Sequence, residues 1–308
     1  MSDQAPYTPA PIALFVYNRP YHTRQTVEAL RANPLASSSE LFVFSDAPRS
    51  ETDCATVAQV RSYLHTVSGF KKLTLIERTK NLGLADSIIS GVTDIVARFG
   101  KIIVLEDDLV TSPYFLQYMN EALEIYRDEE LVISIHGYVY PLKDQVPELF
   151  FIRGADCWAW ATWKRGWDVF QPDGALLLQE LRQRKLERQF NFENSYPYVK
   201  MLEAQVLGKN SSWAVRWYAS AFLANKLTLY PGRSLVKNVG FDDSGTHCGL
   251  DTRFDVELSA TPIAMKRITV HECGQAFIAF RNFFRSIRPG FWQRQKNSIL
   301  KRINRMLG

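Results

Sequence analysis

The sequence lacks the features that mark a secreted or membrane-spanning protein. No apolar run in its 308 residues approaches the ~18 residues that cross a bilayer. Residues 1–11 have neither the basic start nor the apolar centre of a signal peptide. The four cysteines, Cys54, Cys157, Cys248 and Cys273, are too few for a disulfide framework, and we interpret them as reduced thiols. These absences favour a soluble cytoplasmic protein.

Acidic residues are missing from residues 281–308, although that segment holds eight Lys and Arg. The whole chain has 37 basic and 32 acidic residues, which leaves 29 basic against 32 acidic residues elsewhere. The body of the protein is therefore mildly acidic. A nucleic-acid enzyme usually carries its positive charge around its cleft, so this distribution argues against a nucleic-acid partner.

The basic C-terminal segment, residues 261–308, also has a pattern of apolar residues. Helical spacing relates the apolar side chains near its end, and aromatic residues precede them: Phe283, Phe284, Phe291, Trp292, Ile299, Leu300, Ile303, Met306 and Leu307. Amphipathic segments of this kind lie on anionic membrane surfaces. The alternative is a C-terminal helix that packs on its own domain. We favour the membrane surface, at the inner face of the plasma membrane.

Residues 12–135 alternate short apolar runs with amphipathic stretches, which predicts an α/β fold. The apolar runs are residues 12–16, 41–44, 73–76, 102–105 and 132–135. Such an order is typical of a mostly parallel, doubly wound, Rossmann-like sheet. Gly100 is placed to cap the helix predicted at residues 86–98, and Ser112 followed by Pro113 predicts the start of the next helix. The sequence has no internal repeat.

The second half, residues 149–250, differs from the first in its pattern of apolar and aromatic residues. We predict that it forms a subdomain that packs against the first half. Residues 150–152 indicate a strand, residues 175–208 and 212–225 indicate helices, and residues 227–230 indicate a last strand. Four tryptophans fall within ten residues: Trp158, Trp160, Trp163 and Trp167. We therefore expect one domain over residues 12–260, with halves at 12–135 and 149–250.

The run at residues 101–108 is the strongest indication of a site. Four apolar residues end abruptly in Glu106, Asp107 and Asp108. A strand buried on both faces would release these acids at its carboxyl end, where open α/β sheets bind ligands. Adjacent carboxylates repel one another, and a divalent cation that bridges a diphosphate compensates them. The alternative is a solvated strand exit.

Several motifs together resemble the GT-A fold nucleotide-sugar glycosyltransferases. They are the residues 17–20 (YNRP), 45–46 (SD), 81–85 (NLGLA), 105–109 (LEDDL), 154–163 (GADCWAWATW) and 244–249 (SGTHCG). Over residues 12–250 the chain is similar to bacterial family 2 enzymes and more distantly to N-acetylglucosaminyltransferase I. The resemblance implies a nucleotide diphosphate sugar as donor and Mn²⁺ or Mg²⁺ as cofactor.

The resemblance also implies roles for individual residues. Asp108 would bind the metal, with Glu106 completing an acid-x-acid pair, and Asp107 or Glu106 would lie near the ribose and donor sugar. The positions that match nucleotide contacts are Asn18, Arg19, Asp46 and Gly83, and His247 matches a metal or diphosphate contact. Ordinary alternatives stay open: Arg19 as a helix cap or surface ion pair, Asp46 as a turn residue, and His247 as a loop histidine. A zinc site at His247, Cys248, His271 and Cys273 lacks the usual paired spacing.

The catalytic base is where the chain departs from the family. N-acetylglucosaminyltransferase I has an acid between two tryptophans, whereas residues 213–217 here have Ala214. An inverting transferase needs a base within reach of the acceptor hydroxyl. Asp156 is our first candidate and Asp243 our second.

The tryptophans and two arginines of the second half can be interpreted either as structural residues or as ligand contacts. We expect one of Trp158 and Trp160 to line the sugar pocket, since indole faces stack on sugars, and Trp163 and Trp167 to be structural. Arg153 and Arg216 would contact the diphosphate or form ordinary salt bridges.

These observations predict a metal-dependent glycosyltransferase that transfers a sugar to a hydroxyl of a cell-surface glycan of the lipopolysaccharide, O-antigen or capsule type, with inversion. A glycan or lipid-linked glycan would be the acceptor. The alternatives are a non-catalytic nucleotide-sugar or glycan-binding protein of the same fold and a nucleotidyltransferase. The latter requires a glycine-rich basic loop after the first strand, and residues 16–20 contain no glycine.

Overall fold

The fold is organised by an eight-stranded sheet, in a computed structural model that describes residues 7–242 and 251–288. Its spatial order is β3-β2-β1-β4-β8-β6-β9-β7. The strands are β1 (Ile12–Val16), β2 (Glu40–Ser45), β3 (Lys72–Glu77), β4 (Lys101–Glu106), β6 (Val132–His136), β7 (Leu149–Arg153), β8 (Trp160–Trp163) and β9 (Leu227–Pro231). Two further strands, β5 (Leu109–Thr111) and β10 (Val236–Asn238), form a separate antiparallel pair. The predicted mixed α/β sheet is confirmed.

The helices pack on both faces of this sheet. They are α1 (Pro20–Arg31), α2 (Glu51–Leu64), α3 (Gly83–Phe99), α4 (Phe115–Ile125), α5 (Lys164–Trp167), α6 (Gly174–Gln183), α7 (Glu187–Phe190), α8 (Tyr198–Val206), α9 (Trp213–Leu223) and α10 (Gly274–Ser286). One core lies on the α1 and α4 side, and a second, rich in tryptophan, lies on the α3 and α9 side. All five apolar runs of the first half became strands. Four of them are buried, as expected for the interior of a sheet, whereas β3, at the edge, is only partly buried.

Two of the eight strands, β8 inside the sheet and β7 at its edge, run against the other six. Strands β3, β2, β1 and β4 are mutually parallel, whereas β8 runs antiparallel to both β4 and β6. After β1 the chain moves outward through β2 and β3, and it then returns to place β4 on the other side of β1. The carboxyl ends of β1 and β4 therefore flank a topological switch point, where open α/β sheets bind ligands.

Local signals predicted some element ends and missed others. Gly100 caps α3 with φ +75°, as expected. The next helix, however, begins at Phe115 and not at Pro113. Residues 112–115 form a turn before it, in which the Ser112 carbonyl accepts a hydrogen bond from the Phe115 amide. The helical stretch predicted at residues 175–208 is three helices. Left-handed backbone at Lys185 and at the consecutive residues 192–194 separates them.

The beginning of the expected membrane-associating tail packs on the domain instead. Phe280, Phe283 and Phe284 of α10 are buried in an aromatic core with the helices of the second half. The amide of Cys273 donates to the carbonyl of Phe151, at 2.9 Å. Residues 261–288 thus follow the alternative of a helix packed on its own domain, and residues 289–308 lie outside the described part of the chain. No helix described here combines the length and apolarity required to cross a bilayer.

Candidate functional site

The three acids at the end of β4 have different surroundings. Glu106 is the last residue of the strand and lies opposite Phe15 of β1. The Asp107 carboxylate turns toward β1 and accepts a hydrogen bond from the amide of Tyr17, at 3.2 Å. The Asp107 carbonyl accepts a hydrogen bond from the Thr26 hydroxyl of α1, at 2.8 Å. Strand β1, strand β4 and helix α1 are thereby tied together at the switch point.

Asp108 leaves the strand on the side of Arg19. An Arg19 guanidinium nitrogen donates to Asp108 Oδ2 at 2.9 Å, and the second nitrogen donates to Asp242 Oδ1 at 3.2 Å and to the Gly240 carbonyl at 3.3 Å. The loop after β10 is thus held against the end of β4. A Cβ at Gly240 would lie 2.1 Å from Asp108 Oδ2, so only glycine allows this approach.

The buried His22 belongs to the same hydrogen-bond network, although it was not among the site residues predicted from the sequence. Its Nε2 lies 3.0 Å from Arg19 and 3.0 Å from Asp242 Oδ2. His22 follows Arg19 by three residues, so one turn of α1 places both side chains on the same side. That spacing is a signal from which His22 could have been found.

The electrostatics of the acids indicate a site short of positive charge. Burial, followed by repulsion from Asp108 and Asp107, raises the pKa of Glu106 well above its usual range. Burial and the neighbouring Asp108 raise the pKa of Asp107 to about 7. Burial also raises the pKa of Asp108, although Arg19 opposes this shift. Within residues 7–242 and 251–288, no hydrogen bond or ion pair reaches the Glu106 carboxylate.

The donor set fits a divalent cation whose remaining ligands come from elsewhere. Glu106 and Asp108 offer hard carboxylate oxygens, which Mg²⁺ and Mn²⁺ prefer. No group of three His, Cys, Asp or Glu in the described part of the chain could surround a metal by itself. Magnesium sites commonly use one or two carboxylates with substrate phosphates and water, so two protein ligands suffice. His247 and Asp243, the other predicted residues, lie in the segment 243–250, outside the described residues.

Asp46 and Gly83, predicted as nucleotide contacts, are joined to each other at the start of α3, and their contact with a nucleotide stays a prediction. The Asp46 carboxylate accepts hydrogen bonds from the amides of Ala47, Leu82 and Gly83, at 2.9–3.0 Å. It therefore caps the N-terminus of α3, where an anion is favoured by the helix dipole. A Cβ on Gly83 would meet no atom within 4 Å, and its φ of +74° explains the glycine. Asn18 donates to Asp53 Oδ1 at 2.8 Å, a partner that the sequence reading missed.

Asp156 lies on the loop that leads into β8, close to the acids of β4. Its Oδ2 accepts a hydrogen bond from the Tyr140 hydroxyl at 3.0 Å, and its Oδ1 accepts one from the Cys157 amide at 2.8 Å. The adjacent Cys157 is affected electrostatically by Asp156 and by the acids at the end of β4. Burial, Asp156, Glu106 and Asp108 all raise the pKa of its thiol. The two candidate regions, the end of β4 and the 154–158 loop, therefore meet at one edge of the sheet.

The two tryptophans considered for a sugar pocket have different environments. Trp160 is fully buried, with its ring 5.5–5.8 Å from those of Trp167, Trp213 and Trp217. It is a core residue, which corrects the suggestion that it contacts a sugar. Trp158 is half-buried beside Phe241 and Phe254, so it is the one that could line a pocket.

The remaining predicted side chains are structural. Trp163 and Trp167 are buried, as expected. Arg216 donates to the backbone carbonyls of Pro172, Ser211 and Ser212, and Arg153 lies 3.7 Å from Glu272. These are the ordinary structural contacts that were the alternative for both arginines, and contact with a diphosphate stays a prediction.

Comparison with known proteins identifies no family. No protein-family model and no curated protein matches the sequence. Among solved structures, the mannosyltransferase PcManGT from Pyrobaculum calidifontis, in complex with GDP-Man and Mn²⁺, is 18% identical over 45% of this chain and 38% of that chain, with a TM-score of 0.33. TarS from S. aureus is 14% identical over 48% of this chain and 25% of that chain, with a TM-score of 0.30. At these TM-scores the likenesses carry no argument about function.

Proposed function

We propose that the protein is a metal-dependent glycosyltransferase that uses a nucleotide diphosphate sugar. The observation that carries this proposal is the group of partly or fully buried, mutually repelling carboxylates at the topological switch point of the sheet. Such a group is unstable without positive partners, and of its three acids only Asp108 receives a hydrogen bond from Arg19 in the described part of the chain. A divalent cation with a bound diphosphate satisfies both the charge and the position.

Residues at the ends of β1 and β4 would bind the metal, the diphosphate and the nucleoside. Asp108 and Glu106 would hold Mn²⁺ or Mg²⁺, which supplies neutralisation of the charge that develops on the departing diphosphate. Arg19 and His22, beside Asp108, are placed to contact phosphate oxygens. Asn18 and the chain following β1 would contact the nucleoside, with Asp46 supporting the α3 end of the same edge.

Asp156 would be the general base. Its carboxylate would accept the proton of the acceptor hydroxyl while the hydroxyl oxygen bonds to the anomeric carbon and the bond from that carbon to the diphosphate breaks. Ala214, which occupies the position of the base in N-acetylglucosaminyltransferase I, packs beside the tryptophan-rich core. The base must therefore come from another element, and inversion is the outcome that a single carboxylate base serves.

The acceptor would be a hydroxyl of a cell-surface or lipid-linked glycan, at the cytoplasmic face of the membrane. This finer proposal rests on the family resemblance and on the basic residues of the segment 289–308.

A donor screen tests the proposal, with release of nucleoside diphosphate as the readout in the presence of Mn²⁺. Asp108→Ala should abolish release and transfer while the protein stays folded. Asp168→Ala is the matched control, because it removes an exposed carboxylate whose ion pair, within the described part of the chain, is with Lys164, and it should keep full turnover. Unchanged turnover in Asp108→Ala would refute the metal assignment.

The second candidate is a non-catalytic nucleotide-sugar-binding protein, favoured by Ala214 where the family has its base. Calorimetry with nucleotide and Mn²⁺ separates the two candidates. Binding that is lost in Asp108→Ala, combined with no turnover over a broad donor and acceptor panel, would favour the binding protein.

A further inference from the structure

His136 is a buried histidine with unused hydrogen-bonding groups. It ends β6, and none of its surface is exposed. Neither ring nitrogen has a hydrogen-bond partner among residues 7–242 and 251–288. A buried polar group without a partner destabilises the folded state, so its presence in a core calls for an explanation.

The nearest group that could use His136 is the Asp156 carboxylate. Nε2 of His136 lies 3.7 Å from Asp156 Oδ2, just beyond hydrogen-bond distance. Oδ2 already accepts from the Tyr140 hydroxyl, and Oδ1 accepts from the Cys157 amide. Since an ionised carboxylate offers about four acceptor sites, Oδ2 has room for a second donor. A shift of less than 1 Å would bring His136 into that place.

The surroundings keep the imidazole neutral and oriented. Burial lowers the pKa of His136 to about 4, although Asp156 opposes this shift. A neutral imidazole carries one N–H, and on Nε2 that proton can donate to Asp156. The Tyr230 ring packs against the imidazole with centroids 4.9 Å apart, which limits its rotation. The packing therefore holds the His136 imidazole next to the Asp156 carboxylate.

The strand register explains why this pair lies at the candidate active site. His136 of β6 pairs with Trp160 of β8, and Trp160 pairs with Val104 of β4. One row across the sheet therefore joins His136 to the strand that ends in Glu106. The chain before Trp160 runs outward past the end of β4 and carries Asp156 above that row.

We propose that His136 is a positioning residue that donates from Nε2 to Asp156 Oδ2 and fixes the carboxylate for attack on the acceptor hydroxyl. This inference rests on the proposed function, because it assigns a purpose to Asp156 as the base. His136 takes no proton from the substrate. It acts by holding one carboxylate oxygen so that the other lone pairs face the acceptor, and the proton removed from the hydroxyl stays on Asp156.

The pairing itself is tested without activity, by long-range ¹H–¹⁵N NMR of the histidine side chains in the full-length protein. Assignment uses His136→Phe, or His136→Gln if the phenylalanine variant does not fold. We expect the His136 ring to be the neutral Nε2–H tautomer and its Nε2 resonance to move in Asp156→Asn. Tyr218→Phe is the matched control: it removes a buried hydroxyl of the same aromatic cluster that donates to the Phe190 carbonyl, and should leave the resonance in place.

Kinetics test the consequence for catalysis. His136→Phe should lower kcat by about tenfold or more, a fraction of what a general base contributes, and should leave the donor Kd within about twofold. A Nε2 resonance that does not respond to Asp156→Asn, or an unchanged kcat in a folded His136 variant, would overturn the proposal. If the wild-type protein transfers no sugar at all, the proposed function fails instead, and the NMR result still decides whether the two side chains are hydrogen-bonded.

Discussion

Replacing Asp107 with asparagine should stabilise the protein, by an amount that grows with pH. Asp107 is 9% exposed, and burial with the adjacent Asp108 raises its pKa from 3.8 to about 7. The folded state therefore holds the proton more tightly than the unfolded chain. As pH rises from about 4 to about 7, the unfolded chain loses its proton first, and the free energy of unfolding falls.

The size of this effect follows from the shift. Raising the pKa from 3.8 to about 7 corresponds to a cost of roughly 4 kcal/mol above pH 7 and of roughly 1–2 kcal/mol at pH 5. Asparagine has the same shape and keeps an oxygen to accept the Tyr17 amide, while Thr26 bonds to the main-chain carbonyl. The gain from Asp107→Asn should therefore increase by roughly 2–3 kcal/mol between pH 5 and pH 8.

Denaturant unfolding of the metal-free protein at pH 5 and pH 8 measures this difference. In thermal unfolding, each kcal/mol corresponds to about 2 °C for a chain of this length. Asp53→Asn is the control: Asp53 is only partly buried, and its pKa is lowered mainly by hydrogen bonds from Ser50 and Asn18, so this substitution should not stabilise the protein at pH 8. A gain that is equal at both pH values, or a loss of stability at pH 8, would contradict the electrostatic account of the site.

Three further substitutions probe other parts of the structure. Gly240→Ala should destabilise the protein by about 1–3 kcal/mol and weaken Mn²⁺ binding measured by calorimetry, because the new Cβ displaces Asp108 or its loop, whereas Gly274→Ala, with no atom within 4 Å, should be near neutral. Phe284→Ala should cost about 3–5 kcal/mol in denaturant unfolding, because Phe284 is buried in the core; a cost below about 1 kcal/mol would restore the interpretation of α10 as part of a separate tail. Arg19→Leu should raise the pH at which Asp108 ionises, followed by carboxyl NMR, because Arg19 is the cation that opposes its burial; an unchanged or lower value would show that their contact is not significant.

The sequence contains a local signal for one of the site residues that it was not used to predict, and no such signal for another. His136 follows the predicted apolar run 132–135 in the same way that Glu106 follows the run 102–105, so the argument that placed the acids at a sheet edge applied to it as well. Asp242 had no such signal. Its contact with Arg19 spans 223 positions of sequence, and nothing near either residue indicates the other.

The sequence by itself determined the strands of the first half and the location of the acids. Each depends on neighbours within a few residues: an apolar run must be buried, and the acids that end it must emerge at its carboxyl end. Only the tertiary structure decided the partner of each acid. Asp46 caps a helix 36 positions away, and Arg19 meets Asp108 across 89 positions. Such contacts depend on how distant segments pack, as does the burial of Trp160 rather than Trp158, and no local pattern encodes that packing.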